Sequence, residues 1–457
     1  MADTIAAAAT APQVSAIGIV RVSGPESLRL MDEVFAPADG RAMSSHGDRR
    51  LVYGALLGAD GAALDYCLCT ISRAPHSYTG EDTAELQCHG SPVVLAEALR
   101  RLFALGARQA LPGEFTKRAF LNGRMDLSQA EAVVDIIEDE TAAAAENAAG
   151  QLAGAVTRRT DAVYGMLTDM AAHFAAVLDY PDEDIEPFEI AGYEEKLEVA
   201  ANTLAALLES FERGRVLREG IGCVLCGRPN VGKSSLMNAL LGYERAIVTD
   251  EPGTTRDTIS ERLVLGGRLL RLTDTAGLRE AAGKVERIGV ERAAEAAAGA
   301  ELVLAVFDGS EPPGEADART LAAAAGAKCA VALMNKSDLP RRLDAAALGG
   351  VDFAAVLSVS ARTQEGFDAL AGTIRGLFPA SEGAAAGELL TNARQAGAVG
   401  RALEALRSAL EALRCGVTAD AVLTEAERAQ RALGELNGRS VTEDVTDRIF
   451  SRFCVGK

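Results

Sequence analysis

The stretch GRPNVGKSS, Gly227 to Ser235, lies near the middle of a 457-residue chain and decides its fold. Gly227-x-x-x-x-Gly232-Lys233-Ser234 follows an apolar run, Ile221 to Cys226, and precedes a helix-period pattern. A strand, a glycine-bounded loop and a helix in that order are what phosphate wrapping requires. Backbone N–H groups surround the phosphate oxygens, Lys233 reaches the β- and γ-phosphates, and the Ser234 hydroxyl binds Mg²⁺. Asn230 is the odd member. It puts a side chain where glycine would be enough.

Working outward, Asp274-Thr275-Ala276-Gly277 closes a second strand. Its carboxylate can hold Mg²⁺ through water and the Gly277 N–H can meet the γ-phosphate. Between these two motifs stands Thr254-Thr255, and Thr255 can give Mg²⁺ a second hydroxyl. Asn335-Lys336-Ser337-Asp338 follows the run CAVALM. A carboxylate only accepts hydrogen bonds, so Asp338 matches the N1–H and 2-amino donors of guanine. Adenine has an acceptor and no amine there, and the mismatch would be rejected by about 10⁴-fold. Ser360-Ala361-Arg362 ends the last strand, where backbone N–H can meet the guanine O6. Motifs in this order predict a GTP site. Its residues are Asn230, Val231, Gly232, Lys233, Ser234, Ser235, Thr249, Thr254, Thr255, Asp274, Thr275, Ala276, Gly277, Asn335, Lys336, Asp338, Ser360, Ala361 and Arg362.

Around the loop, strand candidates Ile221–Cys226, Leu269–Thr273, Leu302–Phe307, Cys329–Met334 and Val356–Val359 alternate with helical stretches. That alternation predicts a mostly parallel sheet with helices on both faces over 217–378. From 123 to 216 the pattern is helical, with Val163, Met166, Leu167, Met170, Phe174, Val177 and Leu178 forming one apolar stripe that Tyr180-Pro181 ends. Helix returns over 379–457 after the flexible joint SEGAAAGE, with Leu403, Leu406, Leu410 and Leu413 on one face. The two helical stretches are expected to form one discontinuous domain. Residues 1–122 mix short β-like runs (Ile17 to Val22, Ala63 to Ile71, Ala84 to Cys88) with helices such as 93–105 and predict an α+β domain.

Composition sets outer bounds. The chain is 48% hydrophobic, 24% charged and only 4% aromatic, with no Trp, a balance that favours helix-rich globular packing. A net charge of −19 gives no global pull on nucleic acid, so RNA contact needs a local patch or a partner. No basic region with a leucine-rich core opens the chain and no eighteen-residue apolar run occurs, which predicts no membrane span and a cytoplasmic location. Eight Cys in this length do not suggest a disulfide scaffold.

The chain resembles the translation-factor-related GTPases with a GxxNxGKS loop, and more specifically the MnmE (TrmE) tRNA-modification GTPases. The likeness runs end to end: DTIAAAATAP, SYTGEDTAELQCHG (77–90), PGEFTKRAFLNGRMDLSQAEAVVDII (112–137), IVTDEPGTTRD (247–257), DTAGLREAAGKVERIGVER (274–292) and DRIFSRFCVGK (447–457). The resemblance implies an N-terminal tetrahydrofolate-binding-like and dimerising domain, a discontinuous helical domain, and an inserted Ras-like P-loop GTPase domain. It also implies a homodimer that joins an FAD-containing MnmG (GidA)-type partner in a heterotetramer. That partner supplies most tRNA affinity. The complex would modify the wobble uridine of certain tRNAs at C5, using 5-formyltetrahydrofolate or methylenetetrahydrofolate as one-carbon source. No GxGxxG follows a strand here, so hydride chemistry belongs to the partner. A ribosome-assembly switch of the Era type is the competing reading. Such proteins carry an RNA-binding module such as KH, and no GXXG stands in a basic context.

Asn230 acquires a role in this frame. The residue after DTAG is Leu278, which cannot orient water as glutamine does, and no arginine finger is evident. An amide oxygen beside the phosphates can hold a monovalent cation that offsets the charge developing between them. The resemblance implies K⁺ bound by Asn230, with Thr249, Glu251 and Thr254 from the loop that follows, and matches the water-orienting glutamate to Glu286. It matches the folate contacts to Arg21, Glu85, Arg124 and Lys457. Relatives often have Lys where Arg124 stands, which alters the hydrogen-bond geometry.

Other candidates read more plainly. Cys223-x-x-Cys226 fails as a metal pair, because an odd separation on a strand points the two thiols to opposite faces. Cys67, Cys69, Cys88 and His89 could cluster, but their bunching in β-like runs reads as core filling. Cys454, near the C-terminus, reads as packing against the first domain before it reads as a nucleophile. His46, His76 and His173 have no partner pattern. Arg213, Arg215 and Arg218 read as a solvated helix end, with an RNA or partner patch as the alternative.

Overall fold

The computed structural model describes residues 3–179, 190–243, 260–274, 297, 299–379, 387–451 and 453–457. Contacts divide the chain into two compact units. One holds Met1–Val134, Thr157–Leu197 and Glu404–Lys457, the other Asp135–Val156 and Glu198–Leu403.

In the first unit, β1 (Ile5–Ala8), β2 (Ser15–Ser23), β3 (Phe35–Pro37), β4 (Val52–Leu57), β5 (Ala63–Ser72), β6 (Thr83–Gly90) and β7 (Arg108–Gln109) form one sheet in the order β3-β4-β5-β6-β2-β1-β7. All pairs are antiparallel except β1–β7. Period-two alternation sends Val20, Val22, Cys69, Ile71 and Leu86 to one face. There they bury against Leu30, Met31 and Val34 of helix Ser27–Val34, and against Leu95, Ala98 and Leu102 of helix Pro92–Ala104. The opposite face keeps Ile17, Tyr53 and Tyr66 exposed. The stripe read on helix Ala155–Asp179 is buried at Val163, Leu167, Met170 and Phe174 and part-buried at Met166, while the side chains of Val177 and Leu178 lie outside the described residues. Within this unit, Gln430 Nε2 donates to Thr168 Oγ1 at 2.8 Å and Asn437 Nδ2 to Asp161 Oδ1 at 3.0 Å. Residues from before and after the αβ segment therefore meet.

In the second unit, β8 (Ile221–Cys226), β9 (Ser260–Leu265), β10 (Arg268–Asp274), β11 (Leu302–Asp308), β12 (Ala330–Asn335) and β13 (Ala355–Ser358) form a sheet in the order β13-β12-β11-β8-β10-β9. All neighbours are parallel except β9–β10. Strands covered on both faces need continuous apolar runs, and β11 and β12 are buried along their whole length. Cys223 faces the core formed with Leu236, Leu240 and Phe367, while Cys226 faces the core formed with Phe307 and Ala324. The opposed-face reading of the two thiols thus holds. Strand β9 was not among the sequence candidates. It is set by a Gly266–Gly267 hairpin turn with φ of +60° and +73°, a two-residue signal the apolar pattern alone does not carry. Residues 381–386 of the SEGAAAGE joint lie outside the described residues. Just after it, Asn147 and Gln151 both donate to Leu389 O, and Leu390 N donates to Ser210 Oγ at 3.1 Å, so both flanks of the αβ segment meet here too.

Candidate functional site

Strand β8 has β10 on one side and β11 on the other, so the chain reverses its direction of sheet-building there. Open parallel sheets bind ligands outside the C-terminal ends of strands at such a point. The loop 227–232 leaves β8, Asp274 ends β10 opposite Leu225, and Asn335 ends β12. Ser360 and Ala361 follow β13. The parallel topology alone brings these motifs to one edge.

The phosphate loop is shaped by close packing. Gly232 has φ +93°, and a Cβ there would stand 2.5 Å from Asn335 Nδ2. Asn230 has φ +64°, in the left-handed region where Asn is among the tolerated residues. Turn geometry thus explains part of its presence. Among the described residues, no hydrogen bond takes up its exposed side chain. Lys233 is buried at the start of helix Lys233–Tyr243, its Nζ donating to Gly227 O at 2.8 Å and Arg228 O at 2.9 Å. Its ammonium is thereby held under the loop. Val231 is buried, and Ser234 and Ser235 are exposed.

Asn335 ties the base side to the phosphate side. Its Nδ2 donates to Val231 O at 2.8 Å while its Oδ1 accepts from Ala361 N at 3.1 Å. Asp338 accepts from Ser360 Oγ at 2.6 Å and pairs with Arg362 at 2.7 Å. The Ser360 hydroxyl, and then Arg362, keep the Asp338 carboxyl below the usual carboxylate range. It is therefore an ionised acceptor at neutral pH, as guanine donors need. Lys336, at φ +65°, donates to Asp308 Oδ2 at 2.5 Å. Asp308 was not among the sequence candidates. Burial works against its charge, but Lys336 and Ser310 hold it below its ordinary range. The signal for it was an Asp ending an otherwise wholly apolar strand. Thr249, Glu251, Thr254, Thr255, Thr275, Ala276, Gly277 and Glu286 lie outside the described residues.

The Arg cluster is corrected. Arg215 pairs with Glu301 at 2.8 Å, and Glu301 also accepts from Gly222 N at 2.5 Å. Arg218 pairs with the buried Asp135 at 2.7 Å, and Asp135 accepts from Thr391 Oγ1. Two of the three arginines are thus committed to internal ion pairs rather than to solvent. Burial and the neighbouring Asp135 carboxylate push Asp139 up to about 7.

In the first unit, Arg21 and Glu85 are cross-strand partners on β2 and β6, their side chains 2.8 Å apart. Arg21 Nη1 donates to Gly456 O at 3.3 Å, and its guanidinium lies 5.5 Å from the Tyr78 ring centre and 5.7 Å from that of Phe115. The terminal residues fold back onto the PGEF segment, with Gly113 N donating to Cys454 O and Phe115 N to Lys457 O. Lys457 is half-buried, and burial followed by the Arg21 charge lowers its ammonium pKa. Arg21 and Glu85 line a cavity of about 150 Å³ with Thr70, Tyr78 and Thr79. Arg124 is placed differently. It donates to Ser77 O at 3.1 Å and lines a separate cleft of about 680 Å³ with Lys117, Asp126 and Arg439. Three of the four expected folate contacts converge and the fourth lines the neighbouring cleft.

The remaining candidates have ordinary partners. Cys454 has an exposed side chain on a packed backbone. His46 is buried between Ala42 O and Asp39, His173 meets Tyr193, and the His76 backbone carbonyl accepts from Arg49.

Two family models match the chain: the GTP-binding protein TrmE N-terminus over residues 4–124 and the MnmE helical domain over residues 127–454. The chain belongs to the MnmE family. Its relatives include tRNA modification GTPase MnmE of Chloroflexus aurantiacus, 45% identical over all of both chains. The protein of the same name from Symbiobacterium thermophilum is 44% identical over all of this chain and 99% of that one. That from Roseiflexus sp. is 42% identical over the same shares. The chain is accordingly a GTPase of the MnmE family, with GTP as substrate. No helix among the described residues is long and apolar enough to cross a membrane.

Proposed function

We propose that this chain is the GTP-hydrolysing subunit of a cytoplasmic complex that modifies the wobble uridine of certain tRNAs at C5 to an aminomethyl or carboxymethylaminomethyl group. The observation that carries the reading is full-length likeness to tRNA modification GTPases in a chain whose Asn335 joins the base and phosphate sides of one sheet edge, with Asp338 held on the base side by Ser360. The segments 1–122, 123–216, 217–378 and 379–457 are its folate-binding-like, helical, GTPase and second helical parts.

In this reading Ser234 and Thr255 would hold Mg²⁺, which would neutralise charge on the β- and γ-phosphates. Asn230, Thr249, Glu251 and Thr254 would hold K⁺, and Glu286 would orient the attacking water. The exposed Asn230 amide of the phosphate loop, which makes no hydrogen bond among the described residues, fits a cation ligand. Lys233, already seated under the loop, exchanges carbonyl partners for phosphate oxygens when nucleotide arrives.

Arg21, Glu85 and Lys457 hold the folate, with Glu85 accepting from pteridine N–H groups and the cations facing carboxylates. The cavity of about 150 Å³ that Arg21 and Glu85 line is smaller than a drug-sized pocket of about 300–1,000 Å³, so it would take only part of a folate. Arg124, in the adjacent cleft, reaches only the tail. The exposed Ile17, Tyr53 and Tyr66 on the outer sheet face support pairing with a second copy. The acidic net charge supports an FAD-containing MnmG-type partner as the main tRNA binder.

Nucleoside analysis of tRNA from cells lacking the protein tests the proposal. It expects unmodified wobble uridine. Normal tRNA nucleosides with immature ribosomal RNA would overturn it in favour of the assembly switch.

A further inference from the structure

Strands β5 and β6 bring together side chains that neither the nucleotide site nor the folate reading uses. Cys67 and Cys88 are buried on adjacent antiparallel strands, their sulfurs 4.0 Å apart. A carboxylate oxygen of Asp65 lies within 4.8 Å of both. Asp65 sits one strand period before Cys67 and therefore shares its face. Its carboxylate is oriented on three sides: Oδ1 accepts from Tyr66 N at 2.8 Å and lies 2.7 Å from His89 Nδ1, while Oδ2 accepts from His89 N at 2.8 Å. An oxygen accepting one bond retains a lone pair, and Oδ2 can direct it at a cation.

We propose that Asp65, Cys67 and Cys88 form a site for a thiophilic divalent cation, by its chemistry zinc(II), at the outer end of β5 and β6. A tetrahedral metal with metal–sulfur bonds of about 2.3 Å sets two sulfurs about 3.8 Å apart, close to the spacing seen. The donor set of two thiols and one carboxylate suits zinc over calcium or magnesium. His89 supplies the outer contact that fixes the ligating carboxylate. Binding forms two metal–sulfur bonds and one metal–oxygen bond. The two thiol protons leave to solvent, and no electron moves. Cys69, further along the same face, is buried in the apolar cluster with Ile71 and Leu86 and illustrates plain core filling. The Asp65 side chain keeps 9% of its surface exposed beside the exposed His89, which gives the cation a route in.

The full-length chain, reduced and stripped of metal, is titrated with Co²⁺ as a spectroscopic substitute for zinc. The expected result is a near-ultraviolet thiolate-to-cobalt band that saturates at about one equivalent and is displaced by Zn²⁺. Cys67→Ser and Cys88→Ser each remove most of the band. His89→Ala, at a side chain 76% exposed and so safe for folding, weakens affinity about 10–100-fold. An unchanged calorimetric melt of the first unit in each variant confirms that it is folded. Absence of the band, or a band undiminished by both serine variants, overturns the site. So does a reduced pair that ignores cobalt and instead joins as a disulfide on mild oxidation.

Discussion

The nucleotide edge of the second unit and the Arg21–Glu85–Lys457 group of the first are built in opposite ways. At the nucleotide edge, most polar side chains are held by backbone groups of short loops: Lys233 by two carbonyls, Asn335 by Val231 O and Ala361 N. In the other group, side chains more than sixty residues apart meet only after the sheet has formed and the terminal residues have folded back. A loop motif carries its own geometry, so sequence spacing reports it. Charges assembled by tertiary contact have no spacing to report.

Substitutions should separate the two regions. The largest effect is expected from Lys233→Ala, about 10³-fold in the rate of GTP hydrolysis, because the ammonium meets charge that grows in the transition state. Melting of the first unit should not change, and calorimetry beside the GTPase assay reads both. Asp338→Asn should weaken GTP binding about 10²-fold, since an amide offers guanine one acceptor and an unwanted donor. Xanthosine triphosphate, with an oxygen in place of the 2-amino group, should recover part of the loss in the same titration.

Next comes Arg218→Ala, which removes an ion-pair partner from the buried Asp135. Full burial would give about 3–5 kcal/mol, and because Arg218 is 31% exposed about 2 kcal/mol of destabilisation is expected in urea melts of the intact chain. The smallest effect is a pH dependence. Asp139 has a raised folded pKa of about 7 against an ordinary 3.8, so the folded state holds the proton more tightly. Stability from this group is present at pH 4 and is lost as pH rises through 7. Partial exposure reduces the full shift to about 1 kcal/mol. Asp139→Asn should flatten that decline in melts taken between pH 4 and 8, and an unaltered slope would sink the assignment.

The contrast also explains what could be read in advance. Strands β8, β11 and β12 were visible because burial on both faces demands nearly unbroken apolar runs, while β10 and the half-exposed edge strand β13 showed shorter ones. Strand β9 was missed because its definition lies in a glycine turn and a partner strand. The GTP-site residues that fall within the described residues gather at one edge. Asp308, which holds Lys336, was passed over because an Asp ending an apolar strand reads as the start of a loop until its partner arrives. Arg215 and Arg218 looked solvated since their acids, Glu301 and Asp135, are distant in sequence. In the first unit, resemblance named Arg124 beside Arg21, and only the folded arrangement separates them into two cavities. Arg21→Ala should accordingly cost far more folate affinity than Arg124→Ala in equilibrium binding.

The most direct measurement is the GTP hydrolysis rate of the full-length chain in K⁺ and in Na⁺, alongside Asn230→Ala. With an alkali ion offsetting charge between the β- and γ-phosphates, the unaltered chain should turn over at least about 10-fold faster in K⁺, and the substitution should erase the difference. Equal rates in the two salts for the unaltered chain would contradict the account.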